Sequence, residues 1–217
     1  MRLLSGRACD LSYALRNKLF EFRHRVFVEQ LGWQPGDTQA RLERDEFDRI
    51  DTLYVIGQDA RSEILACACA CARLLPTLRP CLLNRHFADL LATPLQPAAY
   101  RGELPRSAVD KNPLATIGLT ELLAGVPEAV ACRGCDELVG VTFSSLARRF
   151  RSQGAAVMSH GPARVLDGRR IEACMVNIHH FLNGLRARLQ LDREPVAVDR
   201  RMANATSGNM EPGVLSG

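Results

Sequence analysis

The stretch LYVIGQDARSEILACACACARLL, residues 53–75, decides the fold. Leu53–Gln58 is apolar and carries Tyr54, Val55 and Ile56, all good strand formers. Ile64–Leu75 is a second apolar run, and Gln58–Glu63 between them is polar enough to turn. The sequence therefore predicts two adjoining strands. Cys67, Cys69 and Cys71 alternate in the second, so a period of two sets all three on one face. Structural zinc draws its thiolates from turn knuckles that come in pairs. Three in-line thiols are read instead as small apolar filling of a tight core. Cys132 and Cys135 form a Cys-x-x-Cys with no second pair nearby, so no metal is expected.

On the N-terminal side, Leu11, Ala14, Leu15, Leu19, Phe22, Val26 and Phe27 fall on one face of a helix over 11–31, which Gly32 stops. Residues 34–49 lack a period and are dense in charge, as a surface loop would be. On the C-terminal side, Pro76 and Pro80 punctuate the chain, and 82–91 suits a short helix with Phe87 and Leu90 inward. Strands are expected at 103–109, 136–142, 156–159 and 170–178. Helices are expected at 117–133, 144–153 and 179–191. From Asp192 the chain is polar and aperiodic, and 192–217 is read as a disordered tail. Residues 1–191 then form one α/β domain with helices on both faces of a mixed sheet.

Composition excludes several classes. The 217 residues are 47% hydrophobic and 24% charged, which is ordinary globular usage. The longest apolar run, Ile64–Ala72, is far short of the ~20 residues that span a bilayer. No membrane association is expected. With no signal segment at the start, the eight cysteines read as reduced thiols in a cytoplasmic protein. A net charge of +4 is too small and scattered to argue for nucleic acid. Lys18 and Lys111 are the only lysines among 28 basic residues, a bias expected of genomic composition.

Several local patterns carry little. Arg151-x-x-Gly154-x-Ala156 resembles a pyrophosphate loop, but such loops open a helix, and here Gly154 is placed to close one. His179 and His180 have no third ligand, and Ser144 and Ser145 lack a nucleophile-elbow context.

The informative run is Arg23-x-x-Val26-Phe27-x-Glu29-x-Leu31-Gly32-Trp33, then Glu43-x-Asp45-x-Phe47-Asp48, Thr52-x-Tyr54, Arg73-Leu74-Leu75-Pro76, and Glu103-Leu104-x-Arg106. By residue type alone, its acids, arginines and aromatics could build a charge-assisted network around a zwitterionic or cationic ligand. They could equally form a solvated acidic loop beside an amphipathic helix with core aromatics. The spacing resembles the LuxI-type autoinducer synthases, which make N-acyl-homoserine lactones, over about residues 5–185. Arg23, Phe27, Trp33, Asp45, Asp48, Arg73, Glu103 and Arg106 match that family's characteristic set.

The resemblance implies an acetyltransferase-like αβα sandwich with a central splayed mixed sheet. It implies two substrates, S-adenosylmethionine and an acyl thioester of acyl carrier protein or coenzyme A, and no resident cofactor. Arg23, Phe27 and Trp33 would shape the S-adenosylmethionine pocket. Asp45 and Asp48 would anchor the 34–49 loop through Arg73, Arg106 or the ligand's ammonium. Glu103 would be the base or its relay, with Glu43 second, and Arg106 would orient Glu103. Gly140 and Thr142 fall on a strand that lines the family's acyl pocket. Gly140 would free volume there and withhold the hydroxyl that a 3-oxo chain favours. Arg148, Arg149 and Arg151 are candidates for docking an acidic acyl carrier protein.

This chain departs from the family at Gly102, Pro105 and Ser107, in a strand motif that usually reads Trp-Glu-Leu-Ser-Arg-Phe-Ala. Two other readings therefore stand beside the synthase. One is an impaired homologue that binds acyl ligands or acyl carrier protein. The other is a general acyl-CoA N-acyltransferase.

Overall fold

The computed structural model describes residues 1–32, 41–45, 47–71, 87–95, 100–110, 115–152 and 156–189. Trp33, Arg73, Gly154, most of the expected 82–91 helix and the 192–217 tail lie outside them. Among the described residues, eight strands form one sheet: β1 (Arg2–Arg7), β2 (Leu53–Gln58), β3 (Ile64–Cys71), β4 (Arg101–Val109), β5 (Glu137–Phe143), β6 (Val157–Ser159), β7 (Arg164–Leu166) and β8 (Arg169–Asn177). The spatial order is β1-β2-β3-β4-β5-β8-β6, with β7 on β8, and only the β4–β5 pairing is parallel. Helix α1 (Tyr13–Arg23) covers one face. Helices α2 (Ala115–Ala131), α3 (Ser144–Ser152) and α4 (Ile178–Leu189) cover the other.

Ser12 caps α1 by accepting from the Leu15 N–H at 3.2 Å. The helix then widens into π-helical turns over His24–Gln30 and stops at Gly32, whose φ of +73° only glycine adopts freely. Leu19, Phe22, Val26 and Phe27 bury the expected stripe against Tyr54, Ile56, Cys67 and Ala108. On the opposite face, Leu53, Val55, Ala66 and Ala68 meet Leu122 and Val126 of α2 and Ile178 of α4. Burial lifts the Cys67 thiol to about 12, so it stays protonated, as a core filler should.

Two strands were not expected. β1 is short and interrupted by Ser5, Gly6 and flanking arginines, yet it pairs β2 from Arg2↔Gln58 to Arg7↔Leu53. β7 and β8 form a hairpin around Asp167-Gly168, both at positive φ (49° and 74°), the geometry of a tight primed turn.

The site is positioned by β4. It pairs β5 at Arg101↔Glu137, Gly102↔Leu138 and Glu103↔Val139, and the ladder stops there although both strands continue. An Arg101–Glu137 ion pair at 2.8 Å pins the closed end. Against β3, Cys71 opposes Glu103 and Cys69 opposes Arg106, so Leu104 and Pro105 together face one residue. That is a β-bulge. It explains how a proline sits inside a central strand: the extra residue is already out of the ladder.

Candidate functional site

The bulge decides which way the charges point. Residues three apart on a plain strand face opposite sides of the sheet. With one residue looped out, Glu103 and Arg106 both oppose positions two apart on β3 and therefore share a face, the one covered by α1.

Arg106 meets the loop after α1 on that face. Its Nε donates to Glu43 Oε1 at 2.8 Å and its Nη2 to Asp45 Oδ2 at 2.5 Å. Arg23 reaches the same carboxylate from the helix, donating from Nε to Glu43 Oε2 at 2.5 Å. It also grips Asp48 with both Nη atoms, at 2.5 and 3.0 Å. The Tyr54 hydroxyl donates to Asp48 Oδ1 at 2.8 Å, and the Asp45 N–H donates to Asp48 Oδ2 at 2.9 Å. Phe20 lies under the Arg23 guanidinium, 5.5 Å from its ring centroid.

The loop is fixed by its own backbone as well. The Glu43 N–H donates to the Phe20 carbonyl at 3.1 Å. Asp45 accepts from the Phe47 N–H, and Thr52 Oγ1 bridges the Arg49 N–H and the Phe47 carbonyl.

Arg23 is fully buried and Glu43 is 2% exposed. Such a cluster is tolerable only because nearly every donor and acceptor is matched. Burial pushes the Asp48 carboxyl up, but the charge and hydrogen bonds of Arg23, with those of Asp45 and Tyr54, outweigh it and hold Asp48 below the usual range. Burial alone would lower the Arg106 pKa, but the charges of Glu43 and Asp45 outweigh it and raise that pKa despite nearby Arg23. Among the described residues, three carboxylates of this cluster face two guanidiniums. Arg106 Nη1 is buried and has no hydrogen-bond partner among the described residues.

The structure brings together Arg23, Glu43, Asp45, Asp48 and Arg106, and it places Glu103, 2% exposed, on the same sheet face. Glu43, the second candidate for the base, has both oxygens held by arginines. Arg106, expected to orient Glu103, donates to Glu43 and Asp45. Arg23 and Phe27 lie in the interior, where Phe27 is part of the core against α1. Tyr54 and Phe20 received no role from the sequence. Their signal was faint, although Thr52-x-Tyr54 stood in the informative run.

Gly140 and Thr142 share a face with Leu138, which packs among residues of α2 and α4 on the side opposite the charges. Gly140 does not open a wall. A Cβ there would stand 2.9 Å from the Leu104 carbonyl oxygen, so backbone already occupies the space. Of the expected docking arginines, Arg148 and Arg149 on α3 are exposed. Arg151 is committed: it donates to the Val157 carbonyl (2.8 Å), Ser159 Oγ (2.9 Å) and Glu172 Oε1 (2.7 Å), tying α3 to β6 and β8.

A mixed sheet that splays between two neighbouring strands, with helices on both faces, is an acetyltransferase-like fold. The coenzyme A-dependent acyl-homoserine lactone synthase BjaI, solved with SAM and isopentyl-CoA, shares it with a TM-score of 0.75 over 88% of this chain and 90% of its own, at 21% identity. TofI, in a ternary complex with an inhibitor and MTA, aligns with a TM-score of 0.73 at 40% identity, over 85% of this chain and 96% of its own. The acyl-homoserine-lactone synthase of Ralstonia nicotianae is 40% identical over 178 residues, covering 77% of this chain and 84% of the relative. The family profile described as autoinducer synthase matches residues 9–160. The chain belongs to this autoinducer synthase family, the LuxI-type acyl-homoserine-lactone synthases, and is an acyltransferase.

Proposed function

We propose that this site joins S-adenosylmethionine to an acyl thioester and closes the product to an N-acyl-homoserine lactone. The observation that carries the reading is the bulge, which sets Glu103 on the same sheet face as the charged cluster, at the last position paired between β4 and β5. The carboxylates outnumber the guanidiniums among the described residues of the cluster, which suits a sulfonium cation. The free Nη1 of Arg106 is a donor for the methionine carboxylate. The acyl chain would lie on the apolar face under α2, α3 and α4.

In this reading Glu103, directly or through a water, takes a proton from the substrate ammonium, and the neutral amine attacks the thioester carbonyl. The C–N bond forms, the C–S bond breaks, and the carrier leaves as a thiol. The substrate carboxylate then displaces 5′-methylthioadenosine from Cγ. The sulfonium is already a good leaving group, so orientation governs this step.

Acyl carrier protein is the donor we favour over acyl-CoA. Arg148 and Arg149 stand free on α3, and the exposed Arg170 adds to that charge, which would attract an acidic carrier. No side-chain hydroxyl is present at Gly140 to receive a 3-oxo group, which supports an unsubstituted chain of medium length, about eight carbons by the modest discrimination of an apolar pocket. Purified protein with S-adenosylmethionine and either octanoyl carrier protein or octanoyl-CoA tests this by mass spectrometry. Octanoyl-homoserine lactone and methylthioadenosine from the carrier reaction are expected. Lactone from neither donor overturns the reaction, and lactone only from octanoyl-CoA overturns the donor.

A further inference from the structure

We propose that Pro105 and Gly140 are a coupled pair that sets the width of the splay and thereby the position of Glu103, an inference that rests on reading Glu103 as the proton acceptor. The first residue of a bulge commonly turns towards a near-helical conformation. Leu104 cannot do so easily, because a residue before proline is confined to extended backbone. The direction of its carbonyl is thereby restricted, and that carbonyl is turned across the splay onto Gly140.

The contact is backbone against backbone. A Cβ at 140 would lie 2.9 Å from the oxygen, well inside the ~3.5 Å of an ordinary contact. No flexible side chain is there to yield. With the carbonyl held by Pro105, relief must come from β4 and β5 moving apart, and Glu103 is the residue just before the one displaced. It is also the last residue in the β4–β5 ladder. Gly140 is therefore the residue that lets a proline occupy the bulge with the seam still closed. Both are positioning residues. Without the proline, Leu104 can rotate its carbonyl aside and a side chain at 140 becomes admissible.

A double-mutant cycle of Gly140→Ala, Pro105→Ser and the pair tests this, read as kcat, as KM for S-adenosylmethionine and as melting temperature. Gly140→Ala is expected to lower kcat about tenfold or more, since displacements of this size are costly to reacting geometry, with KM nearly unchanged. In the Pro105→Ser background the same change should cost much less. Equal losses in both backgrounds, or no loss in either, overturn the proposal. If Gly140→Ala alone does not fold, a folded double variant supports the coupling and a second failure refutes it. The coupling also reads in melting temperature, so a parent protein that makes no lactone would remove the assigned reaction while the strand geometry is still tested.

Discussion

Glu43 and Arg106 meet at 2.8 Å, although one lies on the loop after α1 and the other on a central strand. The other oxygen of the same carboxylate is held by Arg23. One acid therefore joins helix, loop and sheet, and the order of the loop depends on its charge.

Replacing Glu43 by Gln keeps the shape and removes the charge between two buried guanidiniums. Breaking one partner of a buried pair typically costs ~3–5 kcal/mol, so we expect a loss of about 3 kcal/mol. Urea unfolding of Glu43→Gln measures it. Stability within a few tenths of the parent would show that Asp45 and Asp48 alone hold the arginines.

Glu103→Gln tests the proton acceptor. Loss of a general base typically costs 10²–10⁴-fold in rate. Lactone formation by the folded variant should fall by about that factor. A variant with parental kcat would move the proton-accepting role to another group.

Acid should unfold the protein through Asp48. Its folded carboxyl gives up its proton more readily than the unfolded one, because Arg23 and Tyr54 bond the charged form. Its contribution is thus complete above the ordinary carboxylate range and is lost as the pH falls through the depressed folded value. Glu172, lowered by Arg151 against its own burial, adds in the same direction. Asp48→Asn should be less stable at neutral pH and should show a shallower decline below about pH 4. Parallel stability curves for the two proteins would contradict this origin.

The arginines of α3 should separate by function. Charge reversal at Arg148 and Arg149 should raise KM for an acyl carrier protein at low salt, with the effect fading as salt rises. Arg151→Ala should instead lower the melting temperature with any donor, because it removes the ties to Val157, Ser159 and Glu172. An unchanged KM in the reversed variant would place docking on another surface.

The chain's hydrophobic periodicity was enough for most of the frame. Leu53–Gln58 appears as a strand with the expected bounds, and the α1 stripe buries as its spacing required. β1 escaped because Ser5, Gly6 and the terminal arginines Arg2 and Arg7 blur its alternation. β7 escaped although Asp167-Gly168 is a strong hairpin signal, since only three residues precede it in the strand. The identities of the charged residues were legible through family resemblance, but their pairing was not. Which acid meets which arginine depends on the π-helical turns after Arg23 and on the bulge at Pro105. Neither leaves a periodic trace. Gly140 was misjudged for a similar reason: a missing side chain looks like space until the strand opposite is placed.

Three paired positions join the two halves of the sheet, and Arg23, Glu43, Asp45, Asp48, Glu103 and Arg106 all belong to the half before the seam. Gly140, Thr142 and α3 belong to the half after it. Apart from Glu137, which pairs with Arg101 across the seam, and Gly140, which lies against Leu104, mutations beyond the seam can reshape that half without disturbing an ion pair on the near side. Such a layout separates what a lineage can vary from what it must keep. The far half can change its side chains while the charged cluster is left standing.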